Sequence, residues 1–222
     1  MSQEIKIEKK ASEVIQPVDD QEARQAIRER KDLSGAALQG MALKNLSTVG
    51  AILRKTNLAN ANLSHSLLVN PNLYKASLNS AAVHNTVFLG GDLVKSRFTE
   101  TDLSYSAIIG VDGENASFEK ANLRNAALVS GRFINADFRE ANLSNARLAS
   151  LDVANADFTG ADLSGARAYH VNWDEARVPP AFLPEPLVSL PKWAMSALIG
   201  GLLGGLALMV YAALRKKGHK TS

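Results

Sequence analysis

The residues best suited to chemistry in this chain are histidines, because the absence of cysteine excludes disulfides, thiolate metal ligands and cysteine nucleophiles. The four histidines are His65, His84, His170 and His219. None belongs to a His-x-x-x-His pair or to a carboxylate cluster, so their spacing does not predict a metal site. No serine lies in a nucleophile-elbow motif, and the pair Gly90 and Gly91 is not a phosphate-binding loop. We therefore expect no catalytic residue, no cofactor and no enzymatic activity.

A second set of residues is basic and regularly spaced. Lys55, Lys75 and Lys95 follow one another at intervals of 20 residues, and Arg54 and Arg97 lie beside them in the sequence. On a backbone with the same period these lysines stack into one column, where like charges repel each other. The column predicts a patch for an acidic partner, most simply a protein. The alternative is a solvated row of charges that salt screens and no partner binds.

The element that positions these residues has a period of five. Counting by fives from Leu33 to Trp173 gives 29 positions without an insertion, and all but Thr48, Gly113 and Ala168 are large and apolar. The residue two places earlier is usually Ala, Ser, Thr or Gly. Positions five apart lie about 140° apart on a helix and on opposite faces of a strand, so neither element fits. A chain that turns a corner every five residues does fit, and it builds a solenoid around a dry core.

The number of corners in each coil follows from the aromatic residues. The phenylalanines Phe98, Phe118, Phe138 and Phe158 recur every 20 residues and predict a stacked ladder. Four groups of five then make one coil with a square cross-section, and about seven coils make the rod. Where the central residue is the smaller Thr48 or Gly113, the small position carries Leu46 or Val111 instead. This exchange predicts that each coil conserves its core volume.

The repeats resemble a known family. The motifs ANLRN, ADFRE, ANLSN, ADFTG and ADLSG, all between residues 121 and 165, are similar to the A(D/N)Lxx repeats of pentapeptide-repeat proteins. The resemblance covers about Leu33 to Trp173 and implies an all-β solenoid, a right-handed quadrilateral β-helix. It implies no single function, because some members resemble duplex DNA and protect topoisomerases, whereas others are secreted effectors.

The flanking segments have different compositions. Residues 1–31 predict a flexible N-terminus without a signal peptide, followed by a short helix with Asp19 or Asp20 as its N-cap that covers the first coil. The repeats are expected at 32–176 and an extended proline-rich linker at 177–192. Within this linker, Phe182 and Leu183 are expected to fold back and cap the last coil.

The C-terminal region predicts a membrane anchor. Residues 193–214 carry no charge over 22 positions, and a helix of that length spans about 33 Å against roughly 30 Å of bilayer hydrocarbon. The expected interface anchors are Lys192, Trp193, Tyr211, Arg215, Lys216 and Lys217, and residues 215–222 form a basic tail. Small residues that allow helix pairing, and thus a homo-oligomer, are Gly200, Gly201, Gly204 and Gly205.

Taken together, these features predict a membrane-tethered scaffold with its repeat domain in the cytoplasm. The basic residues after residue 214 by themselves favour the opposite orientation. Two alternatives are a secreted bacterial effector that inserts into a host membrane and a DNA mimic that binds topoisomerases. Residues 33–176 contain 13 acidic and 12 basic residues, a net charge of −1, which is far from the strongly acidic rod of a DNA mimic. We therefore expect the bilayer and a protein as partners, and no nucleic acid.

Overall fold

A computed structural model describes residues 15–186 as one helix followed by a parallel β-solenoid. The helix α1 spans Asp20–Arg28, and a short 3-10 turn spans Trp173–Glu175. The eight strands pair in sequence order within one parallel sheet. Their bounds are β1 Ser47–Val49, β2 Leu67–Val69, β3 Val87–Leu89, β4 Ala107–Ile109, β5 Ala127–Val129, β6 Arg147–Leu151, β7 Arg167–Val171 and β8 Glu185–Pro186.

Up to β7, every coil contains 20 residues. Thr48 pairs with Leu68 in the sheet, and single parallel bridges such as Ile52 with Asn72 repeat the same offset on the other sides. This register confirms four groups of five per coil and about seven coils. We name the sides 1 to 4 after their first central residues, Leu33, Leu38, Leu43 and Thr48, and number the five positions of each side from −2 to +2, with the central residue at 0.

A left-handed residue at position +2 makes each corner. Asn115 has a φ of 57°, and the lysines at this position adopt nearly the same angle. On sides 1 to 3, position −1 is often Asn or Asp, whose side chain accepts a hydrogen bond from the backbone N–H two residues later. Asn62 Oδ1 accepts from the N–H of Ser64 at 3.0 Å, for example. This turn explains the A(D/N)Lxx motif in physical terms.

Side 4 departs from that pattern. From the second coil onward its residues at position −1, such as Leu67 and Val87, have no acceptor in the side chain, and its backbone stays extended through position +1. Strands β1 to β7 therefore all lie on this side, while the other sides form only single bridges. The central residue points inward, and its two neighbours point outward.

The central residues form one continuous core. Phe98, Phe118, Phe138 and Phe158 stack with ring centroids 4.8 to 5.0 Å apart and planes within 5° of parallel, which confirms the predicted ladder. Hydroxyl residues fit the small position because they bond across coils: Thr86 Oγ1 donates to the carbonyl of Leu63 at 2.9 Å. The core therefore tolerates Ser and Thr without leaving a buried donor unpaired.

Two of the three exceptions in the central series, Thr48 and Gly113, have specific partners. Thr48 donates its hydroxyl to the carbonyl of Ile27 in α1 at 3.2 Å, so its polarity serves the junction with the helix. A Cβ on Gly113 would lie 2.6 Å from Phe133 Cδ1, so the ring from the next coil fills the space above it. Leu46 and Val111 are buried as expected. The core volume is thus conserved in two ways: a larger residue in the same coil compensates for a small central residue, and a ring from the neighbouring coil fills the remaining space.

The predicted helix caps the first coil. Asp19 is its N-cap and accepts from the N–H of Glu22 at 2.8 Å. The helix buries Ala23, Ala26 and Ile27 against the core. It also supplies acceptors to the open backbone edge, since Asp20 Oδ1 accepts from the N–H of Ala42 at 3.0 Å. Edge N–H groups that have no preceding coil to donate to are thereby satisfied.

The C-terminal end differs from the expectation of a linker that begins at residue 177. Val178 bridges to Asp157, and β8 pairs with β7, so the solenoid continues to Pro186. Phe182 and Leu183 do not cap the last coil, because they are 86% and 62% exposed. Trp173 takes that place: its ring lies 5.3 Å from Phe158 at the end of the ladder.

Several predictions fall outside the described residues. The proposed span 193–214, its glycines Gly200, Gly201, Gly204 and Gly205, and the interface anchors Lys192, Trp193, Tyr211, Arg215, Lys216 and Lys217 all lie beyond Pro186. Within residues 15–186, no helix has the length and hydrophobicity needed to cross a bilayer.

The contact between Gly113 and Phe133 predicts a destabilising substitution. We expect Gly113→Ala to lower the free energy of unfolding by about 1–3 kcal/mol, because the added methyl overlaps a fully buried ring. Chemical denaturation followed by circular dichroism measures this change. Phe133→Leu in the same chain is the control, since the smaller side chain should recover most of the loss. An unchanged stability of Gly113→Ala would contradict the packing described here.

Candidate interaction surface

The structure brings the predicted basic residues onto one edge of the rod. Lys55, Lys75 and Lys95 occupy position +2 of side 1 on three successive coils, with φ angles of 56° to 58°. All three are exposed, as are Arg54 and Arg97. Arg54 lies one position before Lys55, and Arg97 lies at position −1 of side 2, where it bridges to Ser77. The corner turns thus hold five cations along the boundary between sides 1 and 2.

An aromatic ring joins two of these cations. The Arg54 guanidinium carbon lies 5.3 Å from the centroid of Tyr74, and Lys75 Nζ lies 5.2 Å from the same centroid. Both distances suit cation–π attraction, which offsets part of the repulsion between the stacked charges. Sequence analysis missed Tyr74. The signal was present, because Tyr74 follows Arg54 by the coil length of 20 residues.

No carboxylate neutralises the basic edge within residues 15–186. None of the five cations takes part in a salt bridge there. The charge of Arg54 contributes slightly to the lowered pKa of Asp32, which is caused mainly by hydrogen bonds from Ser34. The edge therefore presents its positive charge to solvent.

The later coils contrast with this edge. Residues 33–98 contain six basic residues and one acidic residue, whereas residues 99–176 contain six basic and twelve acidic residues. Half of these later cations, namely Lys120, Arg132 and Arg139, are in ion pairs: Arg132, for example, donates to Asp112 at 2.6 Å and to Glu114 at 2.7 Å. The rod therefore has a positive first half and a negative second half, although its net charge is close to zero.

An ion pair also holds the end of the rod. Burial would raise the pKa of the Asp157 carboxyl, but hydrogen bonds from Thr159 and from the Arg177 guanidinium outweigh burial and lower that pKa. Arg177 Nη2 lies 2.6 Å from Asp157 Oδ2. Because the shift is downward, its contribution to stability is present at neutral pH and is lost as the pH falls through the pKa of folded Asp157.

Two of the histidines lie closer together than their sequence columns suggested. The rings of His65 and His84 lie 5.2 Å apart in an edge-to-face arrangement, because position +2 of one coil meets position +1 of the next. His170 packs on Tyr169 at 4.0 Å. In the part of the chain that the structure describes, no three histidine, aspartate or glutamate side chains are placed to share a metal ion. His219 lies outside the described residues.

Comparisons with known proteins identify the repeat. A family model described as pentapeptide repeats matches eight copies, at residues 32–70, 51–90, 96–133 and 132–165, which together cover more than half of the chain. No curated protein sequence matches the chain significantly.

Solved structures of repeat proteins are similar to this chain. HetL from the cyanobacterium Nostoc, involved in regulating heterocyst differentiation, is 30% identical over 61% of this chain and 65% of HetL, with a TM-score of 0.35. The chain thus spans just under two thirds of HetL. QnrB1, a plasmid-mediated fluoroquinolone resistance protein, is 18% identical over 76% of this chain and 94% of its own, with a TM-score of 0.45. A pentapeptide-repeat protein of the Arabidopsis thaliana thylakoid lumen is 23% identical over 47% of this chain and 68% of its own, with a TM-score of 0.36.

The stacked lysines predict a stability cost that depends on salt. We expect Lys75→Asn to raise the free energy of unfolding by about 0.5 kcal/mol at low salt, because it removes repulsion from Lys55 and Lys95. The gain should shrink in about 1 M salt, where charges are screened. Lys120→Asn is the matched control: Lys120 has the same φ of 56°, but its column neighbours are Glu100 and Glu140. The control should lose stability at low salt. Equal salt responses of the two variants would contradict the electrostatic account.

Proposed function

Because this chain belongs to the pentapeptide-repeat family, we propose that it is a non-enzymatic scaffold that presents a rigid β-helical rod to other proteins. The fully packed core supports this proposal, because each coil is held by hydrogen bonds to its neighbours and its surface columns keep a fixed spacing. A rigid surface loses little conformational entropy when a partner binds it. The repeat therefore suits recognition of a partner with charges at a matching spacing.

The observation that carries the proposal is the unpaired basic edge formed by Arg54, Lys55, Lys75, Lys95 and Arg97. Salt bridges neutralise comparable cations in the later coils, such as Arg132 and Arg139, but none neutralises this edge within residues 15–186. Stacked lysines about 5 Å apart repel one another, so folding alone does not favour them. An acidic protein partner would turn this repulsion into binding energy and increase the association rate.

The second part of the proposal is a membrane tether. Residues 193–214 are uncharged and long enough to span a bilayer as a helix, with Trp193 and Tyr211 near its two ends. With the expected cytoplasmic orientation of the rod, the tether would concentrate the scaffold at one membrane surface. The glycines at 200, 201, 204 and 205 would allow two spans to pair there.

The basic edge can be tested by charge reversal. We expect the triple change Lys55→Glu, Lys75→Glu and Lys95→Glu to abolish partner binding, since it replaces attraction by repulsion. Partners captured by the full chain can be compared between variants by quantitative mass spectrometry. The matched control is Asn115→Glu, Asn135→Glu and Asn155→Glu, which adds three acids to the same column of later coils. Equal capture by wild type and by the lysine variant would remove the edge from the proposed function.

The tether is tested separately by membrane fractionation. We expect the full chain to stay in the membrane pellet after an alkaline wash, because a spanning helix is not released by high pH. A chain that ends at Pro191 retains the described solenoid and should be soluble. If both chains are soluble, the tether is wrong and the uncharged segment must be covered by protein instead.

A further inference from the structure

Side 4 of the solenoid carries a stripe of outward-facing apolar residues. The stripe consists of Leu67, Val69, Val87, Leu89, Ile109 and Val129, which flank the central residues of β2 to β5. Ile109 is 6% exposed, and the other five side chains are half-buried. These six side chains form a continuous apolar stripe on the outer face of four successive coils.

The fold itself does not require this stripe. The central residues already fill the core, and on the other sides position −1 commonly carries the Asn or Asp that stabilises the corner. Strand propensity accounts for some of the β-branched side chains on side 4. It also accounts for part of the scarcity of acidic residues on this side, because Asp and, to a lesser degree, Glu are depleted in strands.

Side 4 contains no acidic residue from Leu46 to His170. All 13 acidic residues between positions 33 and 176 lie on the other three sides. The only Lys or Arg residues on side 4 are Arg147 and Arg167, which are exposed beside the half-buried Tyr169 at its C-terminal end. The first acid on this side is Glu185. Its backbone lies opposite that of Arg167 in the register of β7 and β8. Side 4 is thus apolar at one end and basic at the other.

The chain leaves the solenoid on this same side. Strand β8, Glu185–Pro186, joins the sheet next to β7, and residues 187–192 are all that separate it from the uncharged segment 193–214. Six extended residues reach about 20 Å at most. A span that begins at residue 193 must therefore enter the bilayer close to the C-terminal end of side 4.

We propose that side 4 is the membrane-facing surface of the protein, so that the rod lies along an anionic bilayer with its apolar stripe at the interface. This inference rests on the proposed tether. The stripe would contact the boundary of the acyl chains, while Arg147 and Arg167 bind headgroup phosphates near the point where the chain enters the membrane. Acidic side chains would be repelled by an anionic bilayer, so a side without them suits this orientation.

The orientation is compatible with the basic edge. Lys55, Lys75 and Lys95 lie at the boundary of sides 1 and 2, and side 4 meets only sides 1 and 3. With side 4 against the bilayer, the basic edge stays in solvent and remains accessible to an acidic protein. A second copy that lies parallel to the first fits side 4 less well, because Arg147 and Arg167 of the two copies would then lie close together and repel each other.

Site-specific fluorophores test the orientation on the full chain. Because the chain has no cysteine, Val69→Cys and Val129→Cys each give a single labelling site on the stripe. Thr99→Cys is the matched control, at position +1 of the opposite side 2 and also half-buried. Each variant is labelled with an environment-sensitive dye and reconstituted in phosphatidylcholine vesicles with and without phosphatidylglycerol. Unchanged thermal melting verifies the fold.

We expect dyes at positions 69 and 129 to shift to shorter wavelengths and to be quenched by nitroxide lipids, more strongly with phosphatidylglycerol, while the dye at 99 is not. Leu89→Glu should reduce quenching at position 69 several-fold, whereas Thr99→Glu should not. If the chain resists the alkaline wash but the stripe dyes stay in water, the inference fails and the tether stands. If the dyes shift without lipid quenching, protein covers the stripe and the inference is wrong. If the chain is released by alkali, tether and inference both fail.

Discussion

The structure depends on one local constraint: the chain must turn a corner every five residues, through a residue in the left-handed conformation. For a residue with a Cβ this conformation costs about 1 kcal/mol, so isolated corners would not persist. Here each corner is held by hydrogen bonds to the coils on either side, as when the N–H of Lys75 donates to the carbonyl of Val94 at 3.0 Å. Four corners close one coil, and the 20-residue register then propagates without interruption as far as β7.

The register turns sequence position into three-dimensional columns. Residues 20 apart stack at roughly 5 Å, so one substitution changes a row rather than an isolated site. Inside, this produces the phenylalanine ladder from Phe98 to Phe158 and its continuation onto Trp173. Because the coils are open at both ends, α1 and the segment through Pro186 are needed to satisfy the terminal coils.

Outside, the columns separate surfaces of different chemistry. The boundary of sides 1 and 2 concentrates cations, the later coils carry several ion pairs, and side 4 has an apolar stripe, two arginines near its C-terminal end and no acid until Glu185. These surfaces face different directions because the corners fix them about the rod axis. Under the proposed function, this arrangement would let the rod contact a membrane through one side and a protein through another without any change of conformation. Its specificity then lies in the choice of residues at exposed positions, which the core does not restrict.

The sequence alone determined the period, the four-sided coil and the aromatic ladder, because these follow from spacings that recur throughout the chain, whereas it left the N-cap of α1 open between Asp19 and Asp20. It also identified the lysine column by its spacing of 20. Only the tertiary structure decided how side chains lean between coils, as with Phe133 filling the space at Gly113 and Tyr74 lying between Arg54 and Lys75. It also decided that Trp173, and not Phe182, covers the end of the core. Periodicity fixes which residues share a column, whereas rotamers and the end of the repeat depend on packing with neighbours that no local pattern specifies.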